Sequence, residues 1–94
     1  MRAARVDANQ PDIVKALRRF GCTVQPLHTV GQGVPDLLVG RNGRNLLLEV
    51  KDGSKPPSAR TLTPDQVKWI DEWRGSPVYV VATVDEALHA VMSQ

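Results

Sequence analysis

The stretch "GVPDLLVGRNGRNLLLEVKDG", residues 33–53, constrains this chain more than any other. Two apolar runs flank Asn42-Gly43, a dipeptide suited to positive φ at both central positions of a two-residue type I′ turn. A hairpin is therefore expected, and its turn sets the register. Arg41 pairs with Arg44, and the numbers of every opposed pair sum to 85. Val39 then faces Leu46, Leu37 faces Leu48, and Asp36 falls opposite Glu49. Opposed residues share a face of the sheet. Lys51, two positions beyond Glu49, shares it too.

Two acids opposed on a sheet repel and destabilise it. Carboxylates that close either share a proton or bind a cation. Hard oxygen donors with open positions suit Mg²⁺ or Mn²⁺, which keep waters and recruit phosphate oxygens. Lys51 can hold an attacking water or offset charge on a phosphate. An ion, a water and an amine are the parts that phosphodiester hydrolysis needs. The same residues also admit a plainer reading, two solvated strand-end acids with Lys51 as an ion-pair partner. A bare E-x-K is common.

The rest of the chain supplies the elements around this hairpin. A first helix is expected from Asn9 as N-cap, with Pro11 in its first turn. Ile13, Val14, Leu17 and Phe20 make its apolar face, and Gly21 stops it. "CTVQPLH" reads as a short strand that Pro26 confines to an edge. "TVGQGVP" is a flexible connector, and "DGSKPPSARTL" a mobile basic loop. A second helix opens at Thr63 with Pro64 and a Thr63-x-x-Gln66 capping box. Val67, Trp69, Ile70 and Trp73 form its buried side, and Gly75 and Pro77 end it. "VYVVA" reads as a strand covered on both faces. Thr83-x-x-Glu86 is a second capping box, opening a last helix with Ala87, Leu88 and Val91. The order α-β-β-β-α-β-α implies an α/β sandwich around a small mixed sheet.

With 94 residues, one domain over residues 1–94 is expected. A chain this short has a modest core, which association into a homodimer would enlarge. Hydrophobic content of 41% and charged content of 23% are ordinary for a globular protein. The net charge of +2 permits a nucleic-acid partner without requiring one. A single cysteine, Cys22, excludes an internal disulfide, and no Cys/His zinc pattern is present. Cys22 is read as a packing residue in a reducing compartment. The N-terminus has no apolar signal region, and no run approaches the ~20 apolar residues of a membrane span. A cytoplasmic protein without membrane contact is expected.

The hairpin also carries a family resemblance. Pro35-Asp36, a 13-residue step, then Glu49-Val50-Lys51 resembles the PD-(D/E)xK nuclease superfamily. More narrowly it is similar to the viral-type replication-repair nuclease (VRR-NUC) domains found in phages, and to archaeal-type Holliday junction resolvases. "IVKALRRFG", "GVPDLLVGRNG", "LLLEVKDG" and "LTPDQ" stand in the family's order, from about Asn9 to Val81. The resemblance implies a restriction-endonuclease-like core and Mg²⁺- or Mn²⁺-dependent hydrolysis of branched double-stranded DNA, Holliday junctions above all. It implies that Asp36 and Glu49 bind the metal, that the Val50 carbonyl completes the shell, and that Lys51 is the catalytic lysine. A four-way junction has two strands to cut symmetrically, so a homodimer is expected, with no nucleotide cofactor, in a bacterial or phage-infected host cell.

The resemblance also implies an acid on the first helix, three positions before Ile13. Here that residue is Gln10, which can offer a carbonyl oxygen or orient a water but adds no charge. Asp12 lies about 200° around the helix from Gln10 and is read as complementing the helix N-terminus. Gln66 caps its helix, and in the family a Gln at this point lines the site; one residue can do both. Lys55, Arg60, Arg41, Arg44 and Lys68 are candidate phosphate contacts. Arg2 and Arg5 are a second candidate arm. His28 is read as a surface or capping residue, and Trp69 and Trp73 as core or dimer packing. Rival functions are a flap nuclease or nickase, a non-catalytic nuclease-fold DNA-binding module, and a plain interaction protein.

Overall fold

The computed structural model describes residues 7–93. Arg2 and Arg5 lie outside the described residues. The elements are α1 (Gln10–Arg19), β1 (Thr23–Pro26), β2 (Leu37–Arg41), β3 (Arg44–Val50), α2 (Pro64–Glu72), β4 (Val78–Val81) and α3 (Val84–Met92), with a 3₁₀ turn at Pro57–Ala59 before α2. This is the expected order, an α/β chain around one small mixed sheet. The strands lie in the order β1-β2-β3-β4. The first two pairings are antiparallel and β3 pairs with β4 in parallel.

The hairpin takes the expected register. Leu37 pairs with Leu48, Val39 with Leu46 and Arg41 with Arg44. Asn42 and Gly43 have φ of 52° and 76°, as a type I′ turn requires. Period-two alternation then sorts the side chains. Leu37, Val39, Leu46, Leu48 and Val50 face one side, where they pack with Ile13 and Leu17 of α1 and with Ala87, Ala90 and Val91 of α3. Leu38 and Leu47 face the other side, towards α2, where they line a cleft with Trp69 and Trp73.

The end of α1 is closed by a Schellman motif. Gly21, at φ 96°, donates to Arg18 O at 3.1 Å, and Cys22 N–H donates to Leu17 O at 3.0 Å. Leu17 and Cys22 are both buried, supplying the apolar contact that accompanies such an ending. The start of α1 differs from expectation. Asn9 makes no side-chain cap. Its Nδ2 instead donates to Lys51 O and Ala82 O, both at 2.9 Å. The amide pins the helix start to the outgoing ends of β3 and β4, and this long-range bond displaces the local cap.

Four further expectations are corrected. Helix α2 has no buried residue; Val67 and Trp73 are exposed, and Trp69 and Ile70 are half-buried. The two indoles stack on each other at 4.6 Å, and one layer of α2 on a narrow sheet cannot cover both. Strand β4 is not covered on both faces, because it is the sheet edge and Val80 is exposed. Phe20 is also exposed, with the Arg41 guanidinium 4.7 Å above its ring. The second capping box is half formed: Thr83 Oγ1 accepts from Glu86 N–H at 3.1 Å, but Glu86 Oε1 accepts from Ala82 N–H at 2.7 Å.

Candidate metal centre

Asp36 and Glu49 meet where β2 and β3 end. Asp36 is the residue before β2, and the register continues one step beyond Leu37–Leu48 to bring it across from Glu49. Its Oδ2 accepts from Val50 N–H at 2.7 Å, which turns the carboxylate in between the two strands. Its own carbonyl accepts from Leu27 N–H at 2.7 Å, tying it to the end of β1. Glu49 sits on a central strand, between Asp36 and Val80 of β4. That position explains its burial, at 2% exposure.

Burial is the first cause that pushes the Glu49 carboxyl up, from its ordinary 4.5 to about 8. The Asp36 carboxylate opposite raises it further, and Lys51 opposes it. The Glu49 Oε2 accepts from Gln66 Nε2 at 3.1 Å and has the Lys51 ammonium 3.8 Å away. Its Oε1 is buried and has no hydrogen-bond partner. A buried, unpartnered carboxylate oxygen is costly unless a proton or a cation meets it.

Lys51 leaves β3 with its N–H bonded to Val81 O at 2.8 Å. Its Nζ donates to Gln66 Oε1 at 2.8 Å. Gln66 performs both tasks that the sequence suggests. Its backbone N–H donates to Thr63 Oγ1 at 3.2 Å, its Oε1 accepts from Thr63 N–H at 2.9 Å, and the same side chain reaches Glu49 and Lys51. Gly33 sets this meeting. It has φ of 84°, and a Cβ there would strike the backbone carbonyl of Asp65. Only glycine lets the "GVPD" segment pass beneath the first turn of α2.

The donor set suits a hard divalent ion. Two carboxylates converge, and one buried oxygen lacks a partner. Among the described residues no group of three His, Cys, Asp or Glu could hold an ion by itself. A cation here would thus rest on the Asp36–Glu49 pair, with neutral oxygens and water completing its shell.

Comparison with known proteins supports the same frame. No family model and no curated protein matches the chain. A solved structure described as "VRR_NUC domain" does, at a TM-score of 0.65 and 26% identity, over 88% of this chain and 89% of that one. The chain shares the fold of that VRR-NUC domain.

Within this fold the other candidate residues scatter. Gln10 is buried on the core side of α1, beside Ile13, and its Oε1 also lacks a partner. Asp12 is exposed in the first turn of α1. Arg41 and Arg44 flank the turn at the far end of the hairpin, roughly 17 Å along β3 from Glu49 at ~3.4 Å per residue. Arg60 braces the loop after Lys51, its Nε donating to Lys55 O at 2.6 Å and Nη2 to Gly53 O at 3.1 Å. This loop was expected to be mobile, yet it is internally bonded, with Ser54 donating to Asp52 Oδ1 through both hydroxyl and N–H. Lys55 is exposed on it. Lys68 is exposed on α2, about 200° around from Gln66. No helix among the described residues is long and apolar enough to cross a membrane.

Sequence reasoning missed Asp7. Its carboxyl is pushed up first by burial and then by the Asp36 charge, while Lys51 lowers it, and its own charge acts on Glu49 in turn. Its carbonyl accepts from Gln10 N–H at 3.0 Å in the turn that opens α1. The available signal was an acid three residues ahead of Gln10. It is masked in sequence because Asp7 precedes the helix, where helical spacing says nothing about direction.

Proposed function

We propose that this chain is a metal-dependent, structure-specific DNA endonuclease that hydrolyses phosphodiester bonds in branched DNA, Holliday junctions above all. A single domain over residues 1–94 carries the activity and acts as a homodimer, whose two-fold axis suits paired cuts in a four-way junction. One observation carries the reading. Glu49 is a buried carboxylate opposed to Asp36, with one oxygen bare and the other beside the Lys51–Gln66 pair.

Asp36 and Glu49 would hold Mg²⁺ or Mn²⁺, with the Val50 carbonyl, and Gln10 would stand at the edge of the site as a neutral oxygen donor. The ion, when bound, supplies Lewis acidity and eases deprotonation of a water. The chain's own groups do the rest. Glu49 would hold the ion as its carboxylate, its proton released to solvent. Lys51, steered by Gln66 Oε1, orients the attacking water and offsets charge on the phosphate. Gln66 bridges Glu49 and Lys51 and holds both side chains in place. Lys55 and Arg60, on the loop that follows Lys51, meet the DNA backbone, with Lys68, Arg41 and Arg44 as more distant contacts.

The test is cleavage of a synthetic four-way junction, with a flap and a linear duplex beside it, in Mg²⁺ or Mn²⁺. Asp36→Ala and Lys51→Ala are expected to bind the junction and leave it uncut. Wild-type protein that binds junctions and cuts none with either ion would instead be a nuclease-fold binding module. The neutral Gln10 favours that second reading. Faster cutting of flaps would move the substrate without moving the chemistry.

A further inference from the structure

A groove of about 340 Å³ runs between α1 and the end of β1, lined by Gln10, Val14, Lys15, Arg18, Pro26 and His28. Both of its walls issue from the candidate metal centre. The α1 wall begins at Asn9, whose amide is bonded to Lys51 O at 2.9 Å. The β1 wall ends at Leu27, whose N–H is bonded to Asp36 O at 2.7 Å. Each wall is therefore tethered to the backbone of a residue of the metal centre, on the face of the sheet that carries α1 rather than α2.

Its exposed charges are cationic, and its neutral polar atoms are buried. Gln10 is 4% exposed, and its Oε1 has no partner; neither does His28 Nδ1. Lys15 and Arg18 are exposed along the same helix side, three residues apart. Lys15 has no carboxylate within ion-pair distance among the described residues, and Arg18 spends one Nη2 on Val24 O at 3.2 Å. A groove lined by two cations and no acid fits a polyanion. Gln10 to Arg18 spans about 12 Å of helix at 1.5 Å per residue.

We propose that this groove is the track for one strand's phosphate backbone as it leaves the metal centre, with Lys15 and Arg18 as its phosphate contacts. The proposal rests on the nuclease reading and adds a second DNA-binding surface to it. Neither residue was a candidate in the sequence, because two cations on an amphipathic helix resemble any solvated face. Only the packing of α1 against β1 turns them into a wall.

The experiment is the salt dependence of binding to a fluorescent four-way junction and to a linear duplex, in EDTA so that neither is cut. Wild type is compared with Lys15→Gln/Arg18→Gln and with Arg19→Gln/Arg74→Gln, which loses the same charge outside the groove. Thermal melts check that each variant folds, and Lys15→Gln alone serves if the double variant does not. Each phosphate contact contributes ~0.9 to the slope of log K against log salt, so the groove variant is expected to lose about 1.8. Wild type would then lose about 12-fold more affinity than the groove variant between 50 and 200 mM salt. A groove slope equal to that of the control pair overturns the track and leaves the nuclease reading standing. Wild type that binds neither DNA at low salt overturns both.

Discussion

Gln66 bonds Glu49 from the first turn of α2, Nε2 donating to Oε2 at 3.1 Å, while its Oε1 receives the Lys51 ammonium at 2.8 Å. A capping side chain thus spans the acid and the amine of the proposed reaction. Gln66→Ala is expected to cost about 1 kcal/mol of stability through the lost cap. It should lower the cleavage rate by about 10–100-fold, the usual effect of removing a group that orients a ligand. Urea melts and single-turnover cleavage measure the two separately. A stability loss with an unchanged rate would reduce Gln66 to a cap.

Glu49 makes the metal-free protein sensitive to pH. Its folded-state carboxyl titrates at about 8 against an ordinary 4.5, so between those values the folded chain binds more protons than the unfolded one. Stability then falls as pH rises from about 4.5 and levels off above about 8. Glu49→Gln is expected to flatten this profile. A divalent ion, which binds the ionised carboxylate, should flatten it too by displacing the proton. Urea midpoints from pH 4.5 to 9, with and without Mn²⁺, test the sign; stability that rises across this window would contradict it.

Asp7 is expected to matter for the ion and not for the fold. Its carboxyl sits in the field of Asp36, a repulsion that a cation relieves. Asp7→Asn should leave the metal-free melting temperature unchanged or slightly higher, yet weaken Mn²⁺ binding several-fold by calorimetry. Unchanged Mn²⁺ affinity would separate Asp7 from the centre.

Asn9 distinguishes a helix cap from a tether. Asn9→Ala removes two bonds to backbone carbonyls and should cost about 1–3 kcal/mol, at 0.5–1.5 for each. At a simple N-cap, Asp would replace Asn without loss. Here Asn9→Asp turns a carboxylate towards the Lys51 and Ala82 carbonyl oxygens, and should be less stable than the alanine variant. Chemical denaturation ranks the two.

Gly33 and Gly31 form a controlled pair. Both have positive φ, 84° and 76°. A Cβ at Gly31 meets nothing, whereas one at Gly33 meets the Asp65 backbone. Gly31→Ala should cost only the ~1–2 kcal/mol of the left-handed conformation. Gly33→Ala should cost at least about 1 kcal/mol more, and it should also slow cleavage by displacing Gln66. Equal losses at the two positions would mean that α2 is not seated on this loop.

Much of this arrangement is local, and therefore readable. The Asn42-Gly43 turn needs only its own two residues, and strand alternation carries its register six residues out to Asp36 and Glu49. The order of elements, the Thr63–Gln66 box and the buried faces of α1 and α3 follow from spacing in the same way. The failures are where a distant partner outbids a neighbour. Asn9 leaves its cap for the carbonyls of Lys51 and Ala82, 42 and 73 residues away. Exposure of Trp73 and Val80 depends on how much sheet lies beneath them, which composition does not state. The sequence by itself thus determined the hairpin, its register and the pairing of two acids, because those depend on bonds between near neighbours. Only the tertiary structure decided that Glu49 is buried with a bare oxygen, that Asp7 joins its field, and that α1 and β1 enclose a basic groove, because each depends on chain segments brought together by packing.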